Sequence, residues 1–212
     1  MAWFKRKRPV NEELKKFELA ITAPDAFVIL PQPDDEVLLG DWAREAALEH
    51  VPILDDIGFS STEDLDFLVA QLAGWAQVHM DSGPSDWGLA GVVDALAGVD
   101  IYVSVRGFEF DGTFTGPEDV ADEDLHRTPV IGERTVEVVQ LESGAMATHV
   151  SSVRRSVFGA TEGAVGDEEW YVFLEPEHMV VLVHAEWLSA EAEVDRLNRD
   201  IVRSIAETVR SA

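Results

Sequence analysis

Apolar residues recur at steps of three and four between residues 60 and 83, which predicts a long amphipathic helix. Ser61 is the expected N-cap, and Asp64 lies three residues later, where a capping box has its acid. Gly83 and Pro84 follow the last apolar residue and end the pattern. The predicted buried stripe consists of Leu65, Leu68, Leu72, Trp75 and His79.

Two further stretches predict helices. Residues 40–51 indicate a short helix in which Asp41 serves as a cap and Pro52 ends or kinks the helix. Residues 189–210 indicate an amphipathic C-terminal helix capped by Ser189. Its predicted apolar stripe consists of Val194, Leu197, Ile201, Ile205 and Val209.

The remaining hydrophobic pattern has a period of two, which is typical of strands. In residues 99–110, Gly107 indicates a bulge or bend in an otherwise alternating strand. Two short strands are predicted in residues 17–30, and a Gly-rich link is expected at 159–167. The short turns between the later segments predict antiparallel hairpins. Those later strand segments are 134–141, 145–158, 169–175 and 178–187.

This order of elements predicts an α+β fold with one curved antiparallel sheet flanked by helices. We expect a basic N-terminal tail at residues 1–16 and a single domain at residues 17–212. A long acidic loop is predicted at 111–133, where Pro117 can begin one or two helical turns. Connections of this length are usually functional or disordered.

Three stretches of the chain resemble the PsbP-like superfamily, which includes PsbP proteins, a Ran-binding nuclear-transport protein and LpqN-type lipoproteins. They are "ELAITAPDAFVILP", "GVDIYVSVRGFEF" and the segment from "EWYVFLEPEHMVVLVHAEW" to "IVRSIAETV". The resemblance is one of pattern and covers most of residues 17–212. It implies an α/β/α sandwich and a mostly non-enzymatic role in docking, assembly or secretion, and it transfers no catalytic residue. The chain lacks the signal and the lipid-bearing cysteine of the lipoprotein members, so the resemblance does not extend to export.

Charge is distributed unevenly along the chain. Residues 1–16 carry six Lys or Arg and two acids, for a net charge of +4, whereas residues 17–212 carry ten Arg and thirty-nine acids, for −29. A body this negative repels phosphate backbones, which argues against nucleic-acid binding. Two explanations of the acidity remain open: it serves solubility alone or suits a salty cytoplasm, or it attracts a basic partner. The absence of cysteine excludes disulfides and thiolate chemistry and fits a reducing compartment, so we expect a cytoplasmic protein.

Four consecutive cations near the start, Lys5, Arg6, Lys7 and Arg8, stand beside two aromatic residues. The segment is followed by polar residues and not by an apolar run, so no secretory signal is expected. Three roles remain open: a start that is solvated or docked on the acidic body, a weak contact with an anionic membrane or partner, and a nucleic-acid arm. The acidic body disfavours the third, and a membrane contact would be peripheral at most.

No catalytic motif is present, and no catalytic, cofactor-binding or metal-ligating residue is predicted. His178 and His184 share a strand face but stand about 20 Å apart at about 3.3 Å per residue, too far for one metal ion. A histidine of a neighbouring strand could still meet His184. Trp87 lies in a turn-rich segment and is the tryptophan outside the tail expected to be exposed, so it is a candidate partner contact together with the four cations.

These features favour a non-enzymatic cytoplasmic protein that binds or assembles other proteins through its acidic surface or its long loop. A more specific alternative is an acidic inhibitor, immunity protein or secretion chaperone that neutralises a basic partner. A third alternative is an enzyme or small-ligand-binding protein whose site is assembled only by the fold. No cofactor is expected.

Overall fold

The structure of the chain is a computed structural model. It describes residues 13–16, 19–24, 27–32, 35, 38–56, 62–81, 87–91, 101–109, 116–124, 134–158, 161–175, 179–188 and 192–212. The predicted caps Ser61 and Ser189 lie outside these ranges, as does His178.

Ten strands and four helices make up the described residues. The helices are α1 (Leu39–Asp56), α2 (Thr62–Asp81), α3 (Pro117–Asp124) and α4 (Ala192–Glu207). The first five strands are β1 (Glu13–Lys16), β2 (Leu19–Thr22), β3 (Phe27–Ile29), β4 (Trp87–Gly91) and β5 (Tyr102–Glu109). The others are β6 (Arg134–Gln140), β7 (Met146–Phe158), β8 (Thr161–Leu174), β9 (Met179–Leu188) and β10 (Arg210–Ser211).

Seven strands form one antiparallel sheet in the order β3-β4-β5-β9-β8-β7-β6. Three short strands form a second antiparallel sheet in the order β1-β2-β10. The prediction of a mixed α+β protein with a large antiparallel sheet is therefore confirmed. The hairpins predicted among β6, β7, β8 and β9 are also present.

Helices cover both faces of the seven-stranded sheet. The face that packs against α4 is called the α4 face, and the opposite one the α2 face. On the α4 face, Ile205 and its helical neighbours bury the centre of the sheet. On the α2 face, α1 and α2 pack near Ala90 and Tyr102, and α3 places Val120 on a separate cluster that contains Tyr171. The α2 face thus carries two apolar clusters, one at each side.

Helix α2 follows the predicted pattern closely. Leu68, Leu72 and His79 are buried with at most 1 % exposure. His79 Nδ1 lies 2.8 Å from the hydroxyl of Tyr102, which satisfies a polar atom inside an apolar contact. The stripe read from the sequence is confirmed by this burial.

The first helix is longer than predicted. Helix α1 continues for four residues past Pro52 and ends at Asp56, so of the two predicted effects of Pro52, an end or a kink, the end is wrong. A proline removes one helical hydrogen bond, but the helix continues when packing on another element outweighs that loss. Asp41 lies in the first turn and not at the cap.

Two strands also differ from prediction. Gly107 pairs with Val181 in an unbroken ladder, so no bulge is present there, and Phe108 consequently faces the cluster that contains Val120. Strand β8 begins at Thr161, within the stretch predicted as a Gly-rich link. Glycine lowers strand propensity only modestly, and pairing with β7 from Thr161 onward, joined by pairing with β9 from Val165, overrides it.

The small sheet joins an early and a late segment of the chain, because β1 and β10 both pair with β2. Strand β1, Glu13–Lys16, consists of the last four residues of the predicted tail. Helix α4 ends at Glu207, and the two-residue strand β10 follows it and pairs with β2. In α4 the buried stripe runs through Asn198 and Val202, whereas the predicted stripe residue Leu197 is 44 % exposed.

Candidate functional site

Five residues are predicted as partner contacts, and the structure describes one of them, Trp87. The four cations Lys5, Arg6, Lys7 and Arg8 lie outside the described residues. Trp87 is the first residue of β4 and is only 5 % exposed, so the prediction that it is exposed is wrong. Its position opposite Val105 places its side chain in the core of the α4 face, where a large apolar ring is favoured.

An ionic cluster that the sequence analysis missed lies on the α4 face, centred on His149 of β7. Strand pairing places Glu137 of β6 on one side of His149 and Trp170 of β8 on the other. The imidazole stacks on the Trp170 indole, with ring centroids 4.1 Å apart and planes inclined by 17°. His149 Nδ1 lies 3.0 Å from Glu137 Oε1.

Glu168 is the buried acid of this cluster, with 1 % of its side chain exposed. Its Oε1 is hydrogen-bonded to His149 Nε2, and its Oε2 lies 3.7 Å from Nε of Arg199 on α4. Burying a carboxylate without a partner costs on the order of several kcal/mol, because the ion loses its hydration. The imidazole and the guanidinium therefore provide the compensation that allows a charge at a core position.

Burial and ionic contacts act on His149 in opposite directions. Desolvation lowers its pKa, whereas the hydrogen bonds and charges of Glu168 and Glu137 raise it, and the net pKa lies above the ordinary 6.5. With a carboxylate at each nitrogen, the ring serves best as a double donor, which requires the protonated form. The group therefore acts as a structural cation and has no free nitrogen to accept a substrate proton.

A second polar group lies on the α2 face of the same strands. His184 Nε2 is 2.9 Å from Asp167 Oδ1 and 3.6 Å from Glu186 Oε1. The ligand atoms of the three residues lie within 4.8 Å of one another, and no other such group of three is found among the described residues. All three side chains are partly buried. The geometry is suited to holding a cation.

A cleft of about 460 Å³ opens where the β6–β7 turn meets β10 and the start of α3. Its lining includes Gly144, Met146, Phe173, Glu175 and Arg210. Neither polar group on the sheet lines this cleft. Glu175 and Arg210 are the charged residues of its lining.

The outer surface of α1 carries a row of carboxylates. Asp41, Glu45 and Glu49 are four residues apart and all exposed, so they lie on one side of the helix. Leu48 beside them is 50 % exposed. We call these four residues the acidic helix face. Arg44 also lies on the exposed side, with its guanidinium 4.0 Å from Asp66 of α2.

None of the described helices combines the length and the hydropathy that a membrane crossing requires.

No protein-family model matches the chain, and a search of the curated proteins gives no significant match. The functional conclusions therefore rest on the chemistry of the residues themselves.

Proposed function

We propose that this protein is a non-enzymatic interaction module that binds a basic segment of a partner protein on the acidic helix face of α1. The observation that carries the proposal is the spacing of Asp41, Glu45 and Glu49, which places one exposed carboxylate on each of three successive helical turns. Lysine and arginine side chains of a partner would meet a carboxylate at every turn. Leu48, half exposed beside the row, adds an apolar contact.

Repulsion among these carboxylates destabilises helix α1 when no partner is bound. Like charges four residues apart destabilise a helix by about 0.2–0.5 kcal/mol per pair. Only Asp41, in the first turn, gains from the helix dipole, which favours acids at that end. An arrangement that weakens the helix yet places its charges on one exposed side is suited to recognition of an opposite charge.

The charges of α4 are arranged differently. Arg196 forms an ion pair with Asp200, and Arg203 forms one with Glu207, each within the helix. These i,i+4 pairs neutralise each other on the surface and contribute about 0.3–0.5 kcal/mol. The contrast makes α1 the better candidate for a surface that attracts a basic partner.

The proposal includes a PsbP-like fold and a cytoplasmic location. A PsbP-like fold, with its docking and assembly roles, is supported by helices on both faces of an antiparallel sheet. A cytoplasmic location is supported by the complete absence of cysteine. Within this proposal, an inhibitor or chaperone of one basic protein is the form in which the acidic helix face would bind most tightly.

The proposal is tested by charge reversal on the helix. Full-length protein, the double variant E45K/E49K and the matched control E142K/E175K are used to capture partners from lysate at low and high salt. Glu142 and Glu175 are exposed and lie in or beside turns away from α1, so the control changes the net charge equally. A captured basic protein is then purified and its Kd for each variant is measured by calorimetry.

We expect the helix variant to weaken binding at least about tenfold and the control to weaken it little, because ion pairs at an interface depend on local geometry. Equal weakening by both double variants would mean that the partner senses only net charge, which would overturn a specific role for α1. Binding that is retained at high salt by the helix variant would also contradict the proposal.

A further inference from the structure

A histidine and two carboxylates converge on the α2 face of the large sheet, and we infer that Asp167, His184 and Glu186 bind one divalent first-row transition-metal ion. The inference is independent of the acidic helix face, because its three residues lie on β8 and β9 and not on α1. It also differs from the sequence-based expectation that no residue binds a metal.

Strand register brings the three residues together. Asp167 on β8 is directly opposite Glu186 on β9, and His184 is two residues from Glu186 on the same strand. Residues two apart on a strand share a face, and side chains directly opposite on antiparallel strands are neighbours. All three side chains therefore project from the same patch of sheet, on rigid backbone paired on both sides.

The distances suit a shared ion. Metal bonds to histidine nitrogen and carboxylate oxygen are about 2.0–2.2 Å long, which sets neighbouring ligand atoms roughly 3.0 Å apart in octahedral and 3.4 Å apart in tetrahedral sites. The observed separations from His184 Nε2 are 2.9 Å to Asp167 and 3.6 Å to Glu186. The shorter separation is a hydrogen bond in the structure, so a bound ion would replace the shared proton between His184 and Asp167.

The donor set selects the class of ion. One imidazole nitrogen with two carboxylate oxygens suits Zn²⁺, Mn²⁺, Fe²⁺ or Co²⁺, whereas Ca²⁺ prefers six to eight oxygen ligands. Three protein ligands leave one or more coordination positions for water or for a ligand atom. The side chains of His184 and Glu186 are 28 % and 42 % exposed, so solvent can reach the site.

The surroundings supply a second, independent observation. The site lies in a polar band across the α2 face, between the apolar cluster under α1 and α2 and the one under α3. Ser104 is opposite His184 on β5, and the buried Ser152 is opposite Asp167 on β7, so the band crosses four strands. Two carboxylates directly opposite each other repel. Here both contact the His184 ring, so a cation bound among them would take over a contact that the histidine now provides.

The test is titration of the full-length, chelator-treated protein with ZnCl₂, with MnCl₂ and with CaCl₂ in a calorimeter. We expect one Zn²⁺ or Mn²⁺ per chain and much weaker Ca²⁺ binding. His184→Ala and the nearly isosteric D167N/E186Q should each weaken Zn²⁺ binding at least tenfold. The matched control E142Q/E175Q also removes two carboxylate charges, but from exposed positions away from the band. It should leave the affinity for Zn²⁺ unchanged.

A paramagnetic readout locates the ion. Mn²⁺ should broaden the backbone amide signals of Asp167, His184 and Glu186 before those of Glu45 and Glu49 on α1. Far-UV circular dichroism of each variant establishes that it is folded, and D167N/E186Q keeps the test available if His184→Ala does not fold. The inference is overturned if the wild type binds no ion, or if the site variants and the control bind Zn²⁺ equally, which would assign the ion to the acidic surface in general.

Discussion

The Nε2 atom of His149 is hydrogen-bonded to the carboxylate of Glu168, which is buried beneath helix α4. The bond joins β7 to β8, and Arg199 approaches the same carboxylate from the helix. A core position of the sheet is thus occupied by an ionic contact that includes a titratable cation. Stability should therefore respond to pH through this one residue.

The first prediction concerns pH. Because the folded state raises the pKa of His149 above 6.5, the stabilisation from its charge is complete below pH 6.5 and is lost as pH rises through the higher folded pKa. Urea unfolding between about pH 6 and pH 9 should show a free energy of unfolding that declines over this window relative to His149→Gln. A constant difference between the two proteins would contradict the role of His149 as a cation.

The second prediction concerns Glu168. Glu168→Gln removes the charge that balances His149 and Arg199, and we expect unfolding to become easier by about 3 kcal/mol, since one partner of a buried pair is lost. Nuclear magnetic resonance titration of the His149 ring should show a lowered pKa in this variant, because desolvation then faces only Glu137. The exposed control Glu142→Gln should change stability by less than about 0.5 kcal/mol and leave that pKa in place.

Alternation along the strands predicted most of the sheet but not this cluster. The alternation of the strand places Glu168 on the same core-facing side as Trp170 and Val172. The sequence does not show that His149 is the partner of Glu168. That contact depends on the register that pairs His149 with Trp170, and one sequence does not determine register. The convergence of Asp167 with Glu186 was hidden for the same reason.

The length and position of a helix were predictable where one of its sides packs against the core and the other faces solvent, as in α2. The start of β8 was missed because Gly163 and Gly166 resemble a linker. Gly166 in fact lies opposite Trp187, where a side chain would collide with the indole. A glycine required for close packing and a glycine required for a turn look identical in a sequence.

The third prediction uses these close contacts. A Cβ atom at Gly166 would lie 2.5 Å from the Trp187 ring, and one at Gly88 would lie 2.5 Å from His79 Nδ1. Gly166→Ala and Gly88→Ala should each destabilise the protein by about 1–3 kcal/mol or more through overpacking. Thermal unfolding of the purified variants measures the change.

Gly74 provides the matched control for these substitutions. It lies in α2, and a Cβ atom added there would meet nothing within 4 Å, so Gly74→Ala should stabilise the protein by about 0.5–1 kcal/mol through helix propensity. Destabilisation by all three alanines alike would show that the contacts with Trp187 and His79 are not the cause.

The fourth prediction concerns the turn between β6 and β7. Gly144 has a φ of 88°, and its N–H donates to the Leu141 carbonyl at 2.9 Å. Gly144→Ala should cost about 1–2 kcal/mol because a Cβ atom disfavours positive φ. Gly144→Asn should cost less, since asparagine tolerates that region better. Equal losses for both, measured by urea unfolding, would mean that the backbone at this turn adjusts freely.

The small sheet sets an order of events during synthesis. Thr22 and Thr208 are hydrogen-bonded to each other across 186 residues, and β10 completes its pairing with β2 only when Ser211 has been made. At about 5–20 residues per second, β2 waits roughly ten to forty seconds on the ribosome for that partner. During this interval the edge of β2 that β10 will occupy stays open to other strands, so a nascent chain is most exposed to mispairing and to chaperone capture at its first strands.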